Sequence, residues 1–239
     1  MRQIRIYTNE TLNVSNVIVL KDQIYHYLNN VLKAKESQKI VLFNNTGYDF
    51  YGHIKNITKN TFEVFIEKKI FFENTKSNFE VAFSVCKNPC SDLIVQKLTE
   101  LGIDKIQPLI SENSIFNNKK LDKEKKNSHW KKISISACEQ SERSYLPLIK
   151  PIISFDDYIK NCSYDQKIIL DTEAEKMLSR VYKKNQSSCS ILIGPEGDFT
   201  KEEYNIAKKL NFSPASLGDN ILRVETAVIA AFSYIKLRT

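Results

Sequence analysis

Through residues 1–70, apolar and polar positions alternate in short runs. The segments 4–7, 16–20, 38–43, 48–57 and 61–66 are rich in β-branched and aromatic residues, and turn formers bound them. This pattern predicts five strands. Asn44-Asn45-Thr46-Gly47 lies between two of these runs and reads as a hairpin loop, with Gly47 suited to positive φ. The period changes once. Within residues 22–33, Ile24, Tyr27, Leu28, Val31 and Leu32 recur at helical spacing and predict a single helix. Short strands with one helix point to a small β-barrel, closed off by the polar, patternless stretch 72–78.

Beyond a boundary placed between residues 72 and 73, strands and helices alternate. Strands are predicted at 79–85, 106–110, 167–170 and 190–193, and helices at 92–101, 128–142, 200–210 and 223–237. Leu93, Ile94, Val95, Leu98 and Leu101 supply the buried side of the first of these helices, and Gly102 supplies its stop. This order implies a mostly parallel sheet covered on both faces. The fold class is therefore α/β, with a small β-barrel over residues 1–72 and a parallel-sheet domain over 73–239.

Composition narrows the function classes. With 239 residues, 42% hydrophobic and 26% charged, the chain has enough apolar material for a real core. Six glycines and six prolines exclude a collagen-like or low-complexity chain. No apolar run reaches the ~18–20 residues of a membrane span, and residues 1–10 hold no secretory apolar stretch. Five scattered cysteines fit free thiols in a reducing cytoplasm. The net charge is +7. Basic side chains outnumber acidic ones 10 to 6 in residues 1–72 and 13 to 10 in residues 73–150, while residues 151–239 hold 12 of each. A basic excess confined to the first two thirds favours a polyanion, with nucleic acid the obvious candidate, although it also fits a lysine-rich soluble surface.

Two segments carry candidate chemistry. In Ile191-Leu192-Ile193-Gly194-Pro195-Glu196-Gly197-Asp198-Phe199-Thr200, a buried strand runs into a glycine-bearing turn, and Thr200 with Glu203 forms a capping box for the next helix. That places a glycine-lined loop at the carboxyl edge of a parallel sheet, where α/β proteins bind small molecules. In Ser216-Leu217-Gly218-Asp219-Asn220-Ile221-Leu222-Arg223-Val224-Glu225-Thr226-Ala227, Arg223 and Glu225 stand at the mouth of a helix that is apolar on nearly every side. Such a helix belongs in a core or a subunit interface.

Taken together, the two segments resemble the SPOUT methyltransferases, and specifically the RsmE family, which methylates N3 of a uridine in small-subunit (16S) ribosomal RNA. Lys97-Leu98-Thr99-Glu100-Leu101-Gly102-Ile103, Trp130-Lys131-Lys132-Ile133 and Ala137-Cys138-Glu139-Gln140-Ser141-Glu142-Arg143 are similar to further family motifs, in the same order. Val31-Leu32-Lys33 and Leu42-Phe43-Asn44 resemble its PUA-like N-terminal domain more loosely. Three positions depart from the pattern: Asp198 replaces a second glycine, Asn220 replaces a frequent arginine, and Asn88-Pro89-Cys90 interrupts a basic loop.

The resemblance implies a SPOUT domain with a trefoil knot and S-adenosyl-L-methionine as methyl donor. It implies a cofactor slot formed by Leu170, Leu192, Ile193, Gly194, Pro195, Glu196, Gly197, Leu217, Gly218, Ile221, Leu222, Arg223, Thr226 and Ala227. Arg143 and Arg223 are the candidates for holding RNA phosphate or stabilising negative charge on the uracil oxygens. Glu225 or Glu196 is the candidate proton acceptor, unless it instead positions an arginine. Arg2, Arg5, Lys33, Lys35, Lys55 and Lys87 are the candidate RNA contacts. The partners implied are the small ribosomal subunit and a second copy of the chain. A metal is not expected, since Cys86 and Cys90 lack partners in the sequence and His26, His53 and His129 lie far apart. Two other readings stay open: a ribose 2′-O SPOUT methyltransferase, and a non-catalytic ribosome-assembly protein.

Overall fold

Alternating burial builds a five-stranded sheet from the N-terminal residues: β1 (Ile4–Tyr7), β2 (Val17–Leu20), β3 (Lys39–Phe43), β4 (Tyr48–Ile57) and β5 (Phe62–Phe71), in the order β1-β3-β4-β5-β2. The pair β1–β3 is parallel and the others are antiparallel. The structure is a computed structural model describing residues 3–73, 78–116 and 121–238. It divides into two units, Met1–Thr75 with Cys138–Leu146, and Lys76–Ala137 with Pro147–Thr239.

Strand β5 continues past the predicted end at residue 66. β4 supplies a partner along this length, with Phe50 opposite Lys69 and Tyr48 opposite Phe71. The predicted helix over 22–33 is shorter and broken. A five-residue α-helix, α1 (Asp22–His26), passes into a π-helical turn over Tyr27–Val31. The wider turn rotates the apolar face, so Leu28 is buried while Tyr27 and Val31 are exposed, although the helical spacing placed all three together. Leu28 joins Ile40, Leu42, Ile54, Phe62, Val64 and Ile66 in the core of this unit.

The segment Cys138–Leu146 belongs to the first unit because its polar groups are used there. Glu139 Oε1 accepts the Tyr7 N–H at 3.0 Å, Ser144 Oγ donates to Asp49 at 2.6 Å, and the Leu146 N–H reaches Asn45 Oδ1 at 2.8 Å.

In the second unit every ladder is parallel. The sheet runs β12 (Ser213–Ala215), β10 (Gln166–Leu170), β11 (Cys189–Ile193), β6 (Phe79–Ser84), β7 (Lys105–Ile110) and β8 (Leu148–Ile149), with β9 (Ile153–Ser154) also on β7. Helices α2 (Cys90–Glu100), α3 (Lys123–Ser141), α4 (Phe155–Asn161), α5 (Leu178–Val181), α6 (Lys201–Lys209) and α7 (Val224–Lys236) intervene. Helix α3 begins at Lys123 rather than at the predicted residue 128, so Lys123, Lys125 and Lys126 belong to its start.

Both faces of this sheet are covered, as the alternation of elements predicts. Val81, Phe83, Ile168, Ile191 and Ile193 pack with Val95 and Leu98 of α2 and with Val228 and Phe232 of α7. Ala82, Ile169 and Leu192 face the other way, onto Phe155, Tyr158 and Ile159 of α4 and Ala207 of α6. Each fully buried aliphatic side chain contributes about 1.5–3 kcal/mol relative to exposure, which makes β11, buried at every residue, a rigid base for the loop that follows it. Among the described residues, no helix is long and apolar enough to cross a membrane.

Candidate active site

A cavity of about 860 Å³ opens at the carboxyl ends of β10 and β11. Five stretches of chain wall it: the end of β10 with Asp171 and Thr172, the loop from Ile193 to Asp198, Ala215 at the end of β12, the stretch from Leu217 into the first turn of α7, and Lys87 to Cys90 with Leu93 of α2. Gly194 and Gly218, distant in sequence, line the same space. At Gly218 the backbone has φ +119° and nothing stands within 4 Å of where a Cβ would point. At Gly194 a Cβ would lie 3.1 Å from Asp198 Oδ1 and 3.2 Å from the Phe199 ring, so glycine there permits close packing.

The loop after β11 is held from several directions. The Asp198 N–H donates to Pro195 O at 3.0 Å, and Asn113 Nδ2 donates to the carbonyls of Gly197 and Asp198 at 3.2 and 3.1 Å. The capping box forms as the sequence predicts: Thr200 Oγ1 accepts from the Glu203 N–H, and Glu203 Oε2 accepts from the Thr200 N–H. Across the cavity mouth, the Lys87 N–H points at Glu196 Oε1 at 3.4 Å. The Lys87-to-Cys90 wall is braced by Asp92, which accepts from His129 Nε2 at 2.9 Å and Trp130 Nε1 at 3.0 Å, with Lys126 Nζ at 3.4 Å. Burial pushes the Asp92 carboxyl up, but these partners outweigh it and leave it below the usual carboxylate range. Lys126 also bonds Asn88 of the cavity wall.

Of the cofactor residues expected from sequence, Leu170, Ile193, Gly194, Pro195, Glu196, Gly197, Leu217, Gly218, Ile221, Leu222, Arg223 and Ala227 line this cavity. Two do not. Leu192 lies on the opposite face of the sheet, because neighbours along a strand point to opposite sides. Thr226 is exposed on α7 and is not part of the wall. The structure adds Thr172, Asp171, Ala215 and Leu93, which only the chain's return to this sheet edge reveals. It also adds Asp198 and Asn220, from within the two segments already singled out.

Arg223 is the N-cap residue of α7, and Glu225 lies in its first turn; both line the cavity. Arg143, partly buried, sits in the Cys138–Leu146 segment of the first unit. Lys33, Lys35 and Lys55 are exposed in the first unit, and Lys87 is exposed at the cavity. Arg2 lies outside the described residues. Arg5 corrects the expectation of a phosphate contact: its side chain is 7% exposed and is paired with Asp49 and Ser144, which cover the face of β1 opposite the core residues Ile4 and Ile6.

The cysteine reading is also corrected. Cys86 and Cys90 are joined as a disulfide, the turn at 87–89 having brought them together, while Cys138, Cys162 and Cys189 are free. Nor does the pair lack neighbours, since Glu196 offers a carboxylate oxygen with all three ligand-type atoms within 4.8 Å of one another.

Comparison with known proteins agrees with this geometry. Residues 73–236 match the family described as RNA methyltransferase domain, and residues 20–67 match the RNA methyltransferase PUA domain. The chain is 35% identical to ribosomal RNA small subunit methyltransferase E of Buchnera aphidicola (from Schizaphis graminum), over 98% of this chain and 96% of that protein. It is 33% identical to the protein of that name from Rickettsia conorii, over 99% and 96%. The crystal structure of the Neisseria gonorrhoeae ribosomal RNA small subunit methyltransferase E, bound to S-adenosyl methionine, superposes with a TM-score of 0.89 at 30% identity, covering 99% of this chain and 98% of that one. A chain matched end to end by such relatives, with a cavity built from both of its specific loops, belongs to the RsmE family of ribosomal RNA small subunit methyltransferases.

Proposed function

We propose that this protein transfers a methyl group from S-adenosyl-L-methionine to N3 of a uridine in 16S ribosomal RNA, acting in the cytoplasm on the small ribosomal subunit. The observation that carries this reading is the single cavity shared by the Gly194 and Gly218 loops. The residues present fit the cofactor. Leu170, Ile193, Leu217 and Leu222 offer apolar walls for an adenine, and the two glycine turns leave backbone amides and carbonyls approachable. Asp171, Glu196, Asp198 and Glu225 outnumber Lys87 and Arg223 around the space, which suits a ligand bearing a sulfonium charge. S-adenosylmethionine, when bound, supplies an activated methyl group, so no covalent enzyme intermediate is required.

The protein's own work is then positioning and charge management. Methylation at N3 needs an exposed Watson–Crick edge, so the uridine enters unpaired or flipped. Arg223 at the cavity stabilises negative charge growing on the uracil oxygens, and Glu225 or Glu196 accepts the departing proton. Arg143 holds an RNA phosphate. Lys33, Lys35 and Lys55 of the first unit, with Lys87, position the RNA backbone without reading its sequence. In this reading the domains divide between residues 72 and 73, and the second domain is knotted. The parallel bridge between Met177 and Ser216, which ties the stretch after β10 to the stretch after β12, supports the knot. The chain works as a homodimer through α7, whose outward side carries Thr226 and Ala230 and is continued by exposed Leu237.

The test is methylation of small-subunit particles from a strain lacking this chain. Purified protein with S-adenosylmethionine is expected to restore one N3-methyluridine, detected by mass spectrometry of the 16S RNA. Restoration of a ribose methylation, or of nothing, overturns the assignment.

A further inference from the structure

Asp198 stands in the cofactor loop with φ +60°, a left-handed conformation that glycine adopts freely and aspartate adopts at a cost. Its side chain is turned back into the protein rather than out to solvent. Oδ1 accepts the Phe199 N–H at 2.8 Å and lies 2.7 Å from the hydroxyl of Tyr204, which can donate to it. The same hydroxyl is 3.1 Å from the carbonyl oxygen of Leu170, the last residue of β10 and part of the cavity wall. Asp198 Oδ1 also rests against Gly194, at the spot where any side chain on residue 194 would crowd it. One carboxylate and one phenol therefore touch three points of the cavity wall: the end of β10, the first glycine after β11, and the far end of the loop.

We infer that Asp198 and Tyr204 form a positioning pair that fixes the Gly194–Asp198 loop in its ligand-binding shape, doing by side-chain hydrogen bonds what a glycine at 198 would leave to backbone freedom. Tyr204 is suited to the role. It lies in the first turns of α6, behind the capping box, and its ring meets Phe199 edge-on at 5.7 Å, so its hydroxyl is presented from a fixed base. Burial and the neighbouring Asp198 carboxylate push the phenol far above its ordinary range, so it remains a donor at any working pH. Neither residue carries out chemistry. Their effect falls on the ordering cost that the ligand must meet when it binds.

The inference rests on the reading of the cavity as the S-adenosylmethionine site, and the experiment separates the two. Calorimetric titration of S-adenosylmethionine into Tyr204→Phe, which keeps the ring and removes the hydroxyl, is expected to show a dissociation constant raised about 5- to 10-fold, the loss of roughly one charge-assisted hydrogen bond. The turnover number at saturating cofactor should change by less than about twofold, since no reacting group is touched. Asp198→Asn keeps an acceptor at Oδ1 but loses the charge, and its affinity should fall between those of wild type and Tyr204→Phe. In an Asp198→Gly background, Tyr204→Phe should cost clearly less than it does in wild type, because the hydroxyl has lost its loop partner and keeps only the Leu170 carbonyl. Amide exchange at residues 196–198 of the ligand-free protein should quicken in Tyr204→Phe. If wild type binds but Tyr204→Phe binds equally well and its loop exchanges no faster, the pair is ordinary packing and the inference fails, whatever happens to the melting temperature. Additive losses from Asp198→Gly and Tyr204→Phe also overturn it. If wild type does not bind S-adenosylmethionine at all, the reading of the cavity falls, and the inference with it.

Discussion

Arg5 and Asp49 face each other as a two-pronged ion pair inside the first unit. Arg5 Nη2 donates to Asp49 Oδ1 at 2.8 Å, Nη1 meets Oδ2, and Ser144 closes the group from the Cys138–Leu146 segment. Removing one member of a buried pair strands the other, at a cost of about 3–5 kcal/mol. Arg5→Ala is expected to destabilise the first unit by that amount, read from denaturant dependence of amide exchange across β3 and β4. Arg5→Lys keeps the charge but not the planar fork, and should recover only part of the loss. RNA affinity of a folded charge-neutral variant, Arg5→Gln, should keep its wild-type dependence on salt; a shallower slope would return Arg5 to the phosphate-binding surface.

Glu139 makes the same unit sensitive to pH in an unusual direction. Burial pushes its carboxyl up to about 6, despite the Tyr7 N–H bond and the nearby Arg5 charge that pull it down. The folded state therefore holds a proton that the unfolded chain has already released between roughly pH 4.5 and 6. Stability contributed by this group is present below that window and falls as pH rises through it, by at most about 2 kcal/mol. Thermal melts of wild type and Glu139→Gln at pH 4.5 and 7.5 check this. The variant should lose less stability between the two, because glutamine keeps an acceptor for Tyr7 and does not ionise.

Glu203 closes the capping box and also accepts the Glu112 N–H at 3.0 Å, tying the chain just past the end of β7 to the start of α6. Thr200→Ala removes one cap and should cost about 1 kcal/mol. Glu203→Ala strands two backbone donors around a residue that is 7% exposed, so it should cost more, about 2–3 kcal/mol. Chemical unfolding monitored by Trp130, the single tryptophan, which is buried in the same unit, measures both.

Much of this architecture is legible in the residues, and the exceptions have physical reasons. The strand before Gly194 and the capping box after it are written in consecutive residues, so both appear where local pattern places them. Leu192 and Ile193 are equally apolar, and only the alternation of the finished strand decides which one reaches the cavity. The face of residues 22–33 is misjudged because a π-turn adds a residue to one helical turn, which periodicity alone does not register. Arg5 looks like any surface cation until Asp49 and Ser144, from distant parts of the chain, are brought beside it. The walls contributed by Thr172 and Ala215 follow from which strand lies beside which, information that the order of elements does not contain.

The two cavity glycines should fail in different ways when given a side chain. In Gly194→Ala the new Cβ lies 3.1–3.3 Å from Asp198 Oδ1, the Phe199 ring and the Phe199 nitrogen, so the loop itself must shift. In Gly218→Ala the Cβ meets open space, and the penalty is the positive φ, of order 1–3 kcal/mol. Calorimetry should find S-adenosylmethionine affinity reduced at least about tenfold by Gly194→Ala, a loss near 1.4 kcal/mol. Gly218→Ala should show its larger effect in thermal stability. Equal affinity for Gly194→Ala and wild type would mean that the loop shape is not set at this residue.

Arg223 decides between two roles that its place permits. It is the N-cap residue of α7, its backbone is extended, and its exposed side chain lies at the wall of the cavity beside Ile221 and Glu225. A guanidinium there can hold the cofactor in the ground state, or it can meet negative charge that develops on uracil only as the methyl moves. These predict different kinetics. An interaction made only in the transition state lowers kcat without weakening cofactor binding, whereas uniform binding raises KM and spares kcat. With the second role, Arg223→Ala should lower kcat on small-subunit particles by about 10²-fold while the calorimetric Kd for S-adenosylmethionine moves by less than about threefold. Arg223→Lys should recover part of the rate, because a point charge substitutes poorly for a planar fork facing two oxygens. A Kd that rises in step with the loss of rate assigns Arg223 to the cofactor instead, and leaves Arg143 as the remaining arginine proposed to act on the RNA.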